Sequence, residues 1–489
     1  MNYQITRIKH LNNWVFFTAL FIIFVIFFSF THPIAPYDTD DWQFMYYARP
    51  GYPSIHQWNP TKILPEFLQP FMAMVAGYVI TPIVGDYISA QVYANAIAVS
   101  FFIVLYLYSV KSVLSHKFAI EGMTSYIIIL FYVLLHFVIL RVAEIDNEYL
   151  WYSLDSTCYY HYVISGLLCA SYTFWLISHD NKIPKDNVSR GVLIFVTYLA
   201  FFSNLYFSVI IIAYAGSCLV FDLFDSIKNK KEDWLKNYIK KNAFFLFLII
   251  LWGVVMLIEL QGRRAYYSEY IHTPFLSTLL FTIKTFFTIR LNVLFLIITL
   301  GLILAAKLYS YFKEKKSLFY IGRQQLIICF ALILLITYIL LLSSRVDPSY
   351  ASRSDVVFSY AFFYFYLVLL AIGYLCSKTK WGKIIVPFLV FIMLFNCNTI
   401  GNTYKDVQYN FGLNGQMCME RDRDYIRQVC EAEAMGQDTV RIKVPFYNHK
   451  DYNWPLMLPF SYYLGDCLYK HNVTKRRIVT LYQPSESIK

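Results

Sequence analysis

A chain of 489 residues with 58% hydrophobic, 19% aromatic and only 15% charged side chains, and a mean hydropathy of +0.47, cannot fold as a water-soluble globule. Its formal net charge of +11 comes without any basic-aromatic nucleic-acid motif, which excludes nucleic acid as a partner and reads instead as lysines on the cytoplasmic loops of a polytopic membrane protein. The nine cysteines show no CxxC pair and no metal-ligand spacing; only Cys418, Cys430 and Cys467 fall in polar sequence, where a disulfide needs that segment to lie outside the cytoplasm.

Arg7 and Lys9 precede an apolar run over residues 12–31, long enough for one bilayer crossing. The run ends Phe28-Ser29-Phe30-Thr31-His32-Pro33 without a small-x-small cleavage site, so it reads as an uncleaved first span with the amino terminus inside. An acidic loop over 32–66 follows, and within it Asp38, Asp40 and Asp41 stand together. Carboxylates this close titrate as a coupled set, which is one way to make a general base at a membrane surface; a solvated stop after the first span is the plainer use. The stretch 67–84 is expected to be an interfacial helix, because a crossing there would place Lys111 and Lys117 outside and the acidic loop at 144–155 inside.

Spans are expected over 89–110 and 124–142, the latter delivering a second outer loop at 143–160 with Glu144, Asp146, Glu148 and Asp155. The same loop is dense in rings, among them Tyr149, Trp151, Tyr152, Tyr160 and His161. Singly they suit an interfacial belt; as a set they suit the apolar faces of sugars. After a span at 160–178, the apolar stretch 191–221 is too long for one crossing and breaks at Ser203-Asn204, giving a hairpin. Further spans over 242–260, 291–312, 324–343, 357–376 and 384–400 bring the total to about eleven. Two outer loops then carry arginines: Arg263 and Arg264 in one, Arg345, Tyr350 and Arg353 in the other. A planar guanidinium grips phosphate through two bonds at once, although a juxtamembrane arginine also snorkels to lipid headgroups.

From residue 401 the apolar runs stop. A helix over 420–434 stopped by Gly436, a strand over 440–446 and a second over 478–481 predict a small extracytoplasmic α/β domain covering 401–489. The fold class expected is therefore an all-α polytopic membrane protein, residues 1–400, with that small domain appended. No nucleotide-binding glycine loop, HExxH, GxSxG or internal repeat occurs.

One span, an outer loop with the adjacent acids Asp40-Asp41, an interfacial helix, a second acidic and aromatic outer loop, and a late loop reading Pro348-x-Tyr350-x-x-Arg353 together resemble the GT-C superfamily of integral-membrane glycosyltransferases. Within it they are most similar to bacterial glucosyltransferase-like proteins of surface-polysaccharide (O-antigen) modification. The resemblance implies a sugar donor linked to polyprenyl phosphate, a glycan or lipid acceptor, and reaction on the outer face of the bacterial plasma membrane with an acid of the first loop. Asp40 matches the first acid of the family's pair and Asp41 the second, with Asp38 as an extra acid. Ser203-Asn204-Leu205-Tyr206 stands where some relatives carry a Glu, so that role does not transfer.

The catalytic candidates are thus Asp40, Asp41 and Asp38. Arg353, Arg264, Arg263 and Arg345 are expected at the donor phosphate, and Glu144, Asp146, Tyr160, His161, Tyr350 and Lys62 at the substrates. An Asp accepts the proton of the attacking hydroxyl while arginines stabilise the departing phosphate. No cofactor is required, though clustered carboxylates are also good oxygen ligands for a divalent ion. A polysaccharide polymerase or ligase, or a lipid-linked sugar flippase, is the alternative; the acidic loop directly after the first span favours the transferase, and a flippase would place ionisable groups near the bilayer midplane.

Overall fold

The computed structural model describes residues 2–37, 39–140, 148–153, 155–228, 233–315, 317, 322–399, 414–444 and 461–484. Asp38, Glu144 and Asp146 lie outside the described residues. The chain opens with α1 (Asn2–Ile26), which runs through a π turn to Thr31, and continues into the short α2 (Thr39–Tyr46). Then come α3 (Ile63–Val75), α4 (Tyr87–Phe118), α5 (Met123–Val138), α6 (Ser165–Ser178), α7 (Asn187–Phe201), α8 (Leu205–Lys228) and α9 (Trp234–Glu259). The last part of the bundle holds α10 (Phe275–Phe286), α11 (Val293–Glu314), α12 (Arg323–Val346), α13 (Ser354–Lys378) and α14 (Lys380–Thr399).

Among the described residues nine helices are long and apolar enough to cross a membrane, so the architecture is an all-α polytopic bundle. One of the nine is the helix Ile63–Val84, where an interfacial helix over 67–84 was expected: it begins earlier and satisfies the length and composition of a span. The break expected at Ser203-Asn204 separates α7 from α8, and Asn204 fills the gap by donating to the His161 carbonyl (2.8 Å) and accepting from the Tyr206 N–H (3.0 Å).

The centre of the bundle is α4, α6 and α13. α4 starts where Asp86 caps it, accepting from the Ser89 N–H at 3.0 Å. It buries Ala90, Ala94, Ala96 and Ala98, small side chains that let neighbouring helices approach closely in a medium where apolar surface alone gives little drive to associate. α13 is buried nearly all round, whereas α1, α9, α11, α12 and α14 turn large side chains such as Ile23, Leu257, Ile297, Ile333 and Phe391 outward, as helices solvated by lipid do.

The C-terminal segment forms α15 (Gly415–Ala434), β1 (Thr439–Val444), α16 (Ser461–Lys470) and β2 (Val479–Pro484), with the two strands parallel and Ile442 opposite Tyr482. The helix expected from 420 begins at Gly415, where Asn414 caps it by accepting from the Met417 N–H (2.9 Å), and α16 carried no clear signal in the sequence. Gly436, at φ +76°, supplies the left-handed turn between α15 and β1. Cys418, Cys430 and Cys467 are all free thiols.

This segment is tied to the start of the chain. Arg421, 4% exposed, pairs with Asp422 (2.9 Å) and donates to the carbonyls of Pro36 (3.3 Å) and Tyr37 (3.1 Å), immediately before α2. Lys470 donates to the Tyr46 carbonyl at the far end of α2, and Tyr87 meets His471 at 2.7 Å. A buried ion pair stripped of one partner leaves an uncompensated charge. Arg421→Ala is therefore expected to cost about 3–5 kcal/mol, read as a lowered melting temperature in detergent; the exposed Arg427→Ala serves as control, and equal melting of the two variants would refute the anchoring role.

Candidate functional site

The site begins with the way α2 divides its two acids. Successive helical residues project about 100° apart, so Asp40 and Asp41 cannot face the same way. Asp41 is fully buried: its Oδ1 accepts from Ser156 Oγ (2.7 Å), the Thr157 N–H (2.6 Å) and Thr157 Oγ1 (2.6 Å), and its Oδ2 from the Tyr37 N–H (2.6 Å). Asp155 in turn caps the turn carrying Ser156 and Thr157 by accepting from the Cys158 N–H (2.5 Å). The first and second acidic loops are thus joined through one carboxylate. Asp40 is exposed and lines a cavity of about 840 Å³.

The first loop is joined on its other side to the end of α9. Thr61 donates to Glu259 through both its N–H (3.3 Å) and its hydroxyl (2.5 Å), the Arg263 N–H reaches the Gln57 carbonyl (2.9 Å), and the Arg264 N–H the Trp58 carbonyl (3.4 Å). A side chain at Gly262 would meet the Pro60 ring at 2.5 Å, so glycine is what allows this approach. Beneath it Arg49 pairs with Glu66 (3.1 Å), which also accepts from Asn59 (2.8 Å), and this fixes the base of the loop ahead of α3.

Lys62, Arg264 and Arg353 then line the same cavity as Asp40. Aromatic faces separate the three cations. The Arg353 guanidinium lies 4.4 Å from the ring centre of Tyr162 and 4.8 Å from that of Tyr350, Lys62 lies 5.7 Å from Tyr162, and Arg264 donates to the Tyr350 hydroxyl at 2.8 Å. Arg353 is balanced by Asp355, to which it donates from Nε (3.2 Å) and Nη2 (2.7 Å). Among the described residues no carboxylate forms a salt bridge with Lys62 or Arg264. Burial, and after it the neighbouring Arg264 charge, lowers the Lys62 ammonium to about 7.

A second cavity of about 330 Å³ adjoins the first and shares Trp58, Lys62, Tyr162, Arg264 and Tyr350 with it. Its remaining wall is largely apolar, with Met256, Leu260, Ile271, Leu342 and Val346.

The expected site residues fall into distinct places. Asp40, Lys62, His161, Arg263, Arg264, Tyr350 and Arg353 come together in the larger cavity. Arg345 lines the smaller one, but its guanidinium lies over Phe275 (4.7 Å) and donates to the carbonyls of Tyr270 (3.0 Å), Ile271 (3.4 Å) and Thr273 (3.2 Å), so it holds the loop before α10. Tyr160 lines neither cavity; it is buried against α4 and donates to Asn95 (2.9 Å). Glu259, Asp355 and Trp58 were not singled out from sequence, and Tyr162 only as one ring of the second loop's aromatic set. Glu259 had a usable signal, a lone carboxylate in the last turn of an apolar span, and Asp355 lies two residues beyond an arginine already chosen. Among the described residues no group of three or more His, Cys, Asp or Glu side chains is placed to hold a metal ion.

The two acids give separable outcomes in stability. Asp41→Ala strands four buried donors and is expected to cost about 3 kcal/mol or more, whereas Asp40→Ala, at an exposed position, should stay within about 0.5 kcal/mol of the parent. Thermal unfolding of the two purified variants measures the difference, and equal melting would contradict this division of roles. Comparison of the chain with protein-family models, curated proteins and solved structures finds no match.

Proposed function

We propose that the chain is a glycosyltransferase of GT-C type, moving a sugar from a polyprenyl-phosphate-linked donor to a cell-surface glycan or lipid acceptor. The observation that carries this reading is a single cavity lined by one exposed carboxylate, Asp40, and by four cations, Lys62, Arg263, Arg264 and Arg353. In this reading about eleven spans set the amino terminus in the cytoplasm and the cavity and C-terminal segment on the outer face of a bacterial plasma membrane.

Asp40 accepts the proton of the acceptor hydroxyl as its oxygen bonds to the anomeric carbon. The bond from that carbon to the phosphate oxygen breaks, and the lipid phosphate leaves as an anion beside Arg264, Lys62 and Arg353. Arg264 and Lys62 are the better placed for this charge, since Asp355 already balances Arg353. The apolar wall of the smaller cavity takes the first units of the polyprenyl chain. A polymerase or ligase would use the same cations; the Asp40 carboxylate in the large cavity is what favours transfer with a general base.

Asp40→Asn keeps the shape of the side chain and removes the acceptor of the proton. Transfer should fall by about 100-fold or more while binding of a polyprenyl phosphoglucose stays at the parental level; an undiminished transfer rate would remove Asp40 from the mechanism. The Lys62 ammonium gives a pH test. Its proton is held only up to about pH 7 in the empty site, and a phosphodiester seated against it favours the charged form. Binding above that pH therefore takes up a proton, and affinity should weaken by up to about tenfold per unit as pH rises from 7, with no slope below it. Calorimetry in buffers of different ionisation enthalpy reads the proton directly. Lys62→Arg should abolish the slope, and a slope that persists in that variant would count against a phosphate at Lys62.

A further inference from the structure

We infer that the part of the large cavity beyond Lys62 and Arg264 binds a saccharide, built from Gln43 of α2, Tyr47 one residue past its end, His56, Gln57 and Trp58 of the first loop, and Tyr463 of α16. As the acceptor site of a transferase it rests on the reading above; as a saccharide site it rests on its own walls.

The face of α2 that lines this cavity reads Asp40, Gln43 and Phe44, and the stripe continues to Tyr47 just past the helix end, where its N–H bonds to the Gln43 carbonyl (2.8 Å), while Asp41, Trp42 and Met45 are buried on the other side. A ligand lying along the stripe therefore has one end at the Asp40 carboxylate. Among the described residues the side chains of Gln43, His56 and Gln57 form no hydrogen bond within the protein, which leaves amide and imidazole groups to both donate to and accept from hydroxyls. Tyr47 is 44% and Trp58 53% exposed while lining a concavity, and aromatic faces of this kind stack on the C–H faces of sugar rings.

Tyr463 adds a wall from the C-terminal segment, its ring 6.0 Å from that of Tyr46. An anionic lipid headgroup is the poorer occupant. Two of the four cations of the large cavity, Lys62 and Arg264, also line the smaller one, and the stripe that faces the proposed site carries the Asp40 carboxylate.

Saturation-transfer NMR on the full chain in nanodiscs tests this with isomaltotriose, glycerol phosphate and undecaprenyl phosphate as probes. The parent should transfer saturation to isomaltotriose. The double variant Tyr47→Ala, Tyr463→Ala should lose about tenfold of that affinity, Tyr47→Trp should keep it, and all should bind undecaprenyl phosphate as the parent does, which also reports a folded site. An isomaltotriose signal absent from the parent or unchanged in the double variant overturns the proposal, as does loss of glycerol phosphate binding in its place. Parental binding of isomaltotriose without undecaprenyl phosphate would leave the saccharide site standing and remove the lipid-phosphate donor.

Discussion

A carboxylate shielded from water needs donors in place of its hydration, and Asp41 has four such hydrogen bonds from three residues. Those bonds decide the direction of α2. With Asp41 turned inward against Ser156 and Thr157, the helical repeat turns Asp40 outward, and the stripe continuing through Gln43 and Tyr47 follows from the same rotation. Moving Asp41 by one position would rotate the whole stripe into the core. The acid with the richest hydrogen bonding is thus the one that orients the site.

The cations obey a different constraint. Four positive groups around one cavity repel one another in a medium of low dielectric, and what stands between Lys62, Arg264 and Arg353 is largely aromatic. Tyr162 and Tyr350 offer the negative faces of their rings to Arg353, and Tyr162 lies beside Lys62 as well. Asp355 neutralises one guanidinium outright, whereas the lowered affinity of Lys62 for its proton records repulsion and burial that remain. An arriving anion relieves both.

Much of this was legible in the residues. Apolar runs and the placement of lysines predict a polytopic bundle, and the site residues expected from the loops include seven of the side chains that meet in the large cavity. Three kinds of information were not legible. Which of two adjacent acids faces the cavity depends on helical phase, set by Ser156 and Thr157 more than a hundred residues away. Whether Arg345 is available to a ligand depends on three loop carbonyls that no pattern in the sequence announces. The helix at 63–84 has the length and composition of a span where charge placement pointed to an interfacial helix, and its prolines at 65 and 70 look like breakers until Pro65 is seen in the first turn, where a missing N–H costs nothing.

The contacts of Arg421 with the carbonyls of Pro36 and Tyr37 span 385 and 384 residues. Membrane helices enter the bilayer in order as they are synthesised, and contacts of such separation form late. The acidic helix is made several hundred residues before the groups that brace both its ends. A chain interrupted before α15 would carry nearly every side chain of the cavity and still lack the brace, so the side chains of the site and the groups that orient them become available at different times.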